Sequence, residues 1–355
     1  MITYNITQEY KIGDCLELMK ELPSDSIDII IADPPYYKIK KDEWDNQWKT
    51  FQDYLDWLEV RAIEMKRVLK NNGSLYMFGD DHRIAYIQVM MDKHFSFLNH
   101  LVWYKRNNQA IKGAVNNRSF TSVSERILFY EQKSAAGLPG TGLQEIHSTA
   151  DCFQLIKDYM RGEYQKVMQA NGFKTKAECD EYLNEITETK SVVSKHYFAD
   201  SQYCFPTLEL YGKLKRTGFF VRNYENLRSE YKNLRNEYEA LRRPFNFTKG
   251  MYEVLDIPII SGKENTEHTT TKPIEIIKTL IKSSMKENST VLDPFLGSGT
   301  TLQVCNELNL NCIGFELSNQ WIPYYKQRLN PNKYKVTNGK LTEYDSLMKY
   351  FKKEE

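Results

Sequence analysis

Ile27-Asp28-Ile29-Ile30-Ile31-Ala32 runs directly into Asp33-Pro34-Pro35-Tyr36. Five of the six residues before Asp33 are apolar, four of them Ile. Such a run reads as a buried strand of a parallel sheet, covered on both faces. Pro34 and Pro35 remove two backbone donors and fix φ, so the strand ends in a stiff, extended turn. In open α/β sheets the ligand crevice lies at the carboxyl ends of the strands. The turn places there one carboxylate, carbonyls that no proline nitrogen can pair, and one aromatic face. That set can hold a flat ring bearing an amino group. Asp33 and the Pro34 carbonyl would accept the two amino hydrogens, and Tyr36 would stack on the ring. A tight strand-to-loop turn with a half-buried Tyr is the plainer reading of the same four residues.

A second stretch, Asp293-Pro294-Phe295-Leu296-Gly297-Ser298-Gly299-Thr300-Thr301, follows the short strand Thr290-Val291-Leu292 and opens a helix from Thr300 to Leu308. Gly297 and Gly299 allow close backbone approach, and the helix start offers free N–H groups to an anionic group. No Lys follows Gly299, so this is not a phosphate-binding P-loop. Position 302 is Leu rather than Gly, so the dinucleotide fingerprint is incomplete. The next strand, Asn311 to Phe315, ends in Glu316, where an acid can accept hydrogen bonds from ribose hydroxyls. The site suits a ribose-bearing ligand with a small anionic group, a description that S-adenosylmethionine fits.

The remaining pattern alternates strands and helices. Strands are expected at Glu9–Gly13, Ser74–Gly79, Phe97–Tyr104 and Ser124–Glu131. Helices are expected over Cys15–Glu21, Phe51–Leu69 and His82–Lys93, with Asn71-Asn72-Gly73 ending the second. This alternation builds a doubly wound, mostly parallel sheet, an α/β fold. Near Ser134 the chain turns rich in Gly, Ser, Thr and Ala, which reads as a boundary. Beyond it, Cys152–Ala170 and Thr175–Lys190 read as helices. Tyr224, Leu227, Tyr231, Leu234, Tyr238 and Leu241 then form a heptad seam. The seam suits packing on another helix of the same region better than self-association, because sustained coiled coils run longer.

The net charge of +1 does not announce a nucleic-acid binder. Locally, residues 210–250 carry ten basic and four acidic side chains, a surplus that reads either as a phosphate footprint or as a solvated helix face. Lys215, Arg216 and Arg222 belong to that stretch. Lys105, Arg106, Lys112 and Arg118 sit in a connector that reads as a plain loop or as a DNA-facing rim. The six cysteines include no CxxC pair and no His at zinc spacing, so no metal site is expected. No secretory leader is recognisable, and no apolar run approaches membrane-spanning length. A reducing cytoplasm is the expected setting.

The two motifs resemble those of the beta-group amino-methylating DNA methyltransferases, which act on adenine N6 or cytosine N4. In that family the DPPY motif comes first, a target-recognition region lies in the middle and the FxGxG cofactor motif comes last, and this chain has that order. The resemblance implies S-adenosyl-L-methionine as the methyl donor and double-stranded DNA as the substrate. Asp33, Pro34, Pro35 and Tyr36 would form the catalytic turn. Asp293, Pro294, Phe295, Gly297, Ser298, Gly299, Thr300 and Glu316 would bind the cofactor. Asp14 matches an acid that contacts the cofactor's adenine, and it also reads as the cap of helix 15–21. The family's His-Pro-Thr-Gln-Lys-Pro-like run corresponds to His268-Thr269-Thr270-Thr271-Lys272-Pro273, with departures at Thr269 and Thr271. This makes Thr270 and Lys272 contacts for the cofactor's carboxylate end.

The implied division is a catalytic half at 1–133, a mainly helical target-recognition insert at 134–265, a cofactor half at 266–330 and a charged, peripheral tail at 331–355. An Asp in the first motif position goes mostly with adenine N6, the expected target, and the base would be flipped out of the duplex. A homodimer and a cognate restriction endonuclease are further expectations. The rivals are a cytosine-N4 enzyme, an enzyme acting on RNA or a protein amide, a non-catalytic DNA-binding protein on a vestigial fold, and a nicotinamide-dependent dehydrogenase. The last is disfavoured by Leu302 and leaves DPPY without a role.

Overall fold

A computed structural model describes residues 6–38, 47–106, 120, 122–132, 153–190, 197–198, 203–241, 243–246, 248, 251–260, 271–337 and 340–343. The chain divides into two compact units, residues 1–142 with 243–355, and residues 143–242. The second unit falls within the span 134–265 expected for the insert.

The first unit is built on a sheet that has eight strands among the described residues. In chain order its elements are β1 (Gln8–Ile12), α1 (Cys15–Lys20), β2 (Ile27–Ala32), α2 (Phe51–Val68), β3 (Leu69–Gly79), α3 (Ile84–Met91), β4 (Phe95–Arg106) and β5 (Ser124–Gln132). The second unit, described below, contributes α4 (Gln154–Ala170), α5 (Lys176–Thr187), α6 (Leu208–Leu214) and α7 (Tyr224–Leu241). The first unit resumes with β6 (Val254–Pro258), α8 (Ile274–Ser284), β7 (Thr290–Asp293), α9 (Thr300–Glu307), β8 (Asn311–Glu316), α10 (Ile322–Leu329), β9 (Tyr334–Thr337) and β10 (Lys340–Glu343).

The strand order is β1-β8-β7-β2-β3-β5-β4-β6. β1, β8, β7, β2 and β3 pair in parallel, β5 runs antiparallel to β3 and β4, and β6 pairs in parallel with β4. The apolar run of β2 follows from its central place. Ile30 and Ala32 pack with α1, α2 and α3 on one face, and Ile29 and Ile31 pack with α8, α9 and α10 on the other. A strand buried on both faces has no polar alternation. α2 begins with a capping box between Thr50 and Asp53 and buries Tyr54, Leu58, Ala62 and Met65 at helical spacing.

Three local expectations change. Asn71-Asn72-Gly73 lies inside β3 rather than at a helix end, because Leu69 already pairs with Ile27 and the register shifts before Ile29 meets Ser74. β6 falls in the span assigned to the insert, yet it extends the sheet alongside β4. The tail opens with an antiparallel hairpin, β9–β10, and Val336 packs against the core beneath α10.

The second unit has its own core, in which Ile156, Met160 and Val167 of α4 meet Leu183 of α5, Leu214 of α6 and Leu227 of α7. Tyr224, Leu227, Tyr231 and Leu234 of the α7 seam face that core. Tyr224 and Leu227 are buried, and Tyr231 stacks on Phe153 and Phe205 with ring centroids 4.5 and 4.7 Å apart. Among the described residues no helix is long and apolar enough to cross a membrane.

Candidate active site

β2 and β7 are neighbours, with Ile29 opposite Val291 and Ile30 opposite Leu292. Their carboxyl ends therefore deliver Asp33 and Asp293 to the same edge of the sheet, although 260 residues of chain separate them. This is the kind of crevice in which doubly wound sheets bind ligands. A cavity of about 540 Å³ opens there, lined by Asp33, Tyr36, Lys272, Asp293, Phe295 and Glu316, among others. Its volume lies within the usual range for small-molecule sites.

The glycine-bearing loop is braced from beneath. Asp293 accepts hydrogen bonds from the Phe295 N–H (3.0 Å) and the Thr301 hydroxyl (2.6 Å), closing the turn onto the first residues of α9. Burial pushes the Asp293 carboxyl up to about 7; Thr301 and the Phe295 N–H work against that shift, and the charges of Asp33 and Glu316 add to it. Glu316 accepts from Gly297 N–H (2.9 Å) and Ser318 N–H (3.0 Å), so the end of β8 holds the loop after β7. Tyr325 donates to the Gly297 carbonyl (2.8 Å), and Arg328 Nε donates to the Ser298 carbonyl (2.7 Å). Gly299 has φ of +82°, and a Cβ there would lie 2.7 Å from the Tyr325 ring. Both facts restrict the position to glycine. The Thr300 hydroxyl donates to the Lys272 carbonyl (3.2 Å).

Beside the end of β8, where the Gly13 N–H donates to the Glu316 carbonyl (2.8 Å), Asp14 caps α1 through the Leu16 N–H (2.7 Å) and pairs with Arg61 from α2 at 2.7 Å. The Arg61 guanidinium is buried and lies 3.9 Å from the Trp57 ring centroid. Asp14 thus has the capping role, and it also lines the cavity.

The Asp33-Pro34-Pro35-Tyr36 turn sits in a cluster of charge. Lys272 Nζ donates to Asp33 Oδ2 (2.6 Å) and lies 3.4 Å from Glu125 Oε2. The Tyr36 hydroxyl donates to Asp33 Oδ1 at 3.1 Å, with Glu125 Oε2 at 3.3 Å. Lys105 pairs with the other Glu125 oxygen at 2.5 Å. Burial pushes the Asp33 carboxyl up; Lys272 counters this and Glu125 reinforces it, so the net direction is upward. Burial also pushes Glu125 up, but Lys272 and Lys105 outweigh it and hold that carboxyl below its ordinary value. Burial disfavours the Lys272 ammonium, yet Asp33 and Glu125 more than restore it. The Tyr36 hydroxyl is kept protonated by burial and by both carboxylates.

Asp33, Pro34, Pro35, Tyr36, Asp14, Asp293, Pro294, Phe295, Gly297, Ser298, Thr300, Glu316 and Lys272 all line one cavity. Gly299 stands in the same loop. Two residues are placed differently from their expected settings. Lys272, expected at the cofactor's carboxylate end, spends its ammonium on Asp33 and Glu125. Lys105, expected on a loop or DNA-facing rim, ends up in the ion cluster because β4 extends as far as Arg106. Thr270, Lys112 and Arg118 lie outside the described residues. Lys215 and Arg216 are exposed in the second unit, where Arg222 pairs with Glu230 at 2.7 Å. Glu125 and Arg61 carry no motif. Their trace in the sequence is a charged residue at the mouth of an apolar strand and an Arg on the apolar stripe of α2.

Comparison with known proteins agrees with this geometry. The N6/N4 methyltransferase family model, described as a DNA methylase, matches residues 27–327. The type II methyltransferase M.HinfI of Haemophilus influenzae is 26% identical over 342 residues, which cover 90% of this chain and 69% of that protein. The type II methyltransferase M.BamHI of Bacillus amyloliquefaciens is also 26% identical, over 93% of this chain and 59% of that one. The fold matches the PvuII DNA methyltransferase, described as cytosine-N4-specific, with a TM-score of 0.52 at 13% identity, over 99% of this chain and 93% of that one.

The residues present fit S-adenosyl-L-methionine, the family's methyl donor. Glu316 spends two acceptor positions on backbone N–H groups and retains others for ribose hydroxyls. Phe295 supplies an aromatic surface in the cavity wall. A DPPY turn and a glycine loop on adjacent parallel strands, joined in this order and matched by one family model across most of the chain, place the protein among the N6/N4 DNA methylases.

Proposed function

We propose that the protein methylates the N6 amino group of an adenine flipped out of duplex DNA. The observation that carries this reading is the position of Asp33-Pro34-Pro35-Tyr36 at the carboxyl end of β2, beside the glycine loop that follows β7. An exocyclic amine is a weak nucleophile because its lone pair is delocalised into the ring. Acceptors that draw on its two hydrogens localise that lone pair. Asp33 supplies one acceptor and the Pro34 carbonyl the other. Tyr36 supplies the face on which the extruded base stacks, offsetting part of the few kcal/mol that unstacking costs. The bound cofactor supplies the electrophilic methyl group. Asp33 need not remove the proton first, because the proton can leave once positive charge has developed on nitrogen.

An Asp in the first motif position supports adenine over cytosine. The relatives' type II class supports duplex DNA as the substrate. Methylation of such a site would protect it from a cognate restriction endonuclease.

The test is methyl transfer from labelled S-adenosylmethionine to unmodified mixed-sequence duplex DNA, followed by separation of the product nucleosides. N6-methyladenine is the expected product. N4-methylcytosine would replace the adenine reading with the cytosine one, and transfer to RNA or protein alone would overturn the DNA substrate.

A further inference from the structure

Four charges and one hydroxyl form a continuous cluster around the catalytic turn. Lys272 Nζ joins Asp33 (2.6 Å) to Glu125 (3.4 Å), Lys105 holds the far oxygen of Glu125 (2.5 Å), and the Tyr36 hydroxyl spans both carboxylates. Two carboxylates face two ammonium groups, so the formal charges cancel. The Lys272 side chain is 7% exposed and that of Glu125 15%, so the pairing is screened little by solvent.

We propose that Lys272 and Glu125 are positioning residues for the amine-binding carboxylate, Lys272 holding Asp33 ionised and aimed while Glu125 offsets Lys272 and preserves the basicity of Asp33. The proposal rests on the reading of Asp33 as the acceptor for the target amine.

The geometry leaves that acceptor usable. An ionised carboxylate offers about four lone-pair sites. Lys272 takes one on Oδ2 and Tyr36 one on Oδ1, which leaves a site on each oxygen for a substrate N–H. A protonated Asp33 would instead present a hydrogen to the amine. Burial alone favours that inactive form, and an ammonium at 2.6 Å opposes it. Lys272 without Glu125 would go too far, because a strongly stabilised carboxylate is a weak base and a weak acceptor. The groups that act on Asp33 come from several elements: Lys272 ahead of α8, Glu125 on β5, Tyr36 on its own turn, and Asp293 at the end of β7. Removing Lys272 and removing Glu125 should therefore shift Asp33 in opposite directions. A purely structural role would not produce that signature.

The experiment measures kcat and KM for methyl transfer to duplex DNA from about pH 5 to 9 in the wild type and in Asp33→Ala, Lys272→Met, Lys272→Arg and Glu125→Gln. The Kd for S-adenosylmethionine is measured alongside. Lys272→Met should move the acid limb of kcat upward by about a pH unit, Glu125→Gln should move it downward, and Lys272→Arg should restore it, with the cofactor Kd held within about threefold. Limbs that stay put, or that move in the same direction, overturn the proposal. So does a Lys272→Met variant that loses cofactor affinity tenfold or more at unchanged kcat, which would return Lys272 to the cofactor's carboxylate. Should Lys272→Met fail to fold, a limb that moves downward in Glu125→Gln while that of Lys272→Arg stays at the wild-type position supports the proposal, and an unmoved or raised limb in Glu125→Gln overturns it. Transfer retained in Asp33→Ala overturns the amine-acceptor reading and this proposal together. Transfer lost there, with unshifted limbs elsewhere, overturns this proposal alone.

Discussion

Replacing Asp33 with Ala removes the acceptor proposed for the substrate amine and takes away the 2.6 Å partner of Lys272. Methyl transfer should fall by about 10²–10³-fold, the scale of losing one preorganised electrostatic partner, and this is read in single-turnover assays. Cofactor affinity should change little, because the hydrogen bonds of Asp33 run to Lys272 and Tyr36 rather than to the glycine loop. Asp293 makes a prediction about stability. Its folded-state value of about 7 lies above its ordinary 3.8. Between those values the folded chain binds a proton that the unfolded chain does not. The stability from this group is therefore complete below about pH 4 and is lost as pH rises through about 7, at a slope of roughly 1.4 kcal/mol per unit. Asp293→Asn should remove that slope. Denaturant midpoints compared at pH 4.5 and pH 8 measure it, and an unchanged difference between the two would refute the assignment.

The loop between β7 and α9 works as one element, held by Asp293 from within, Glu316 from β8, and Tyr325 and Arg328 from α10. Gly299→Ala would combine a positive φ with a Cβ 2.7 Å from the Tyr325 ring. It should cost about 1–3 kcal/mol of stability and weaken S-adenosylmethionine binding, both measurable by calorimetry. In α7 the exposed residues Arg228, Lys232 and Arg235 recur at spacings of four and three and so share one helix face, while Tyr224, Leu227, Tyr231 and Leu234 face the unit's core. If that face meets phosphates, changing all three to Glu should weaken DNA binding across sequences. The slope of log affinity against log salt should flatten by about one per lost contact. A salt slope equal to that of the wild type would leave α7 with a solvated face only.

Over the whole molecule, each unit has a hydrophobic core of its own. The cavity is lined wholly by residues of the sheet unit. A ligand that binds only the folded site stabilises by mass action, about 2.7 kcal/mol at a hundredfold excess over Kd. Saturating S-adenosylmethionine should therefore raise the melting transition of the sheet unit and leave that of residues 143–242 in place. A single transition that moves as one would show that the two units unfold together. The site depends on long-range closure in the same way. Its two motifs approach only when β7 inserts between β8 and β2.

What the sequence determined by itself is local. Occlusion of both faces made β2 apolar at five of its six positions, two prolines ended it, and two glycines marked the loop before α9, so the DPPY turn, the glycine loop and their order along the chain were legible. The heptad seam of α7 was legible for the same reason, since its period is a property of one helix. Tertiary structure alone decided which charges meet. Glu125 lies 92 residues from Asp33 and Lys272 lies 239, and no periodicity connects them. The span 254–258 joined the sheet because β4 offered a free edge, and Lys105 turned inward because that strand extended past it. Side-chain period and turn chemistry are set within a few residues, whereas an ion pair is set by strand order. The fold and the motifs could therefore be read in advance, while the electrostatic frame around Asp33 could not.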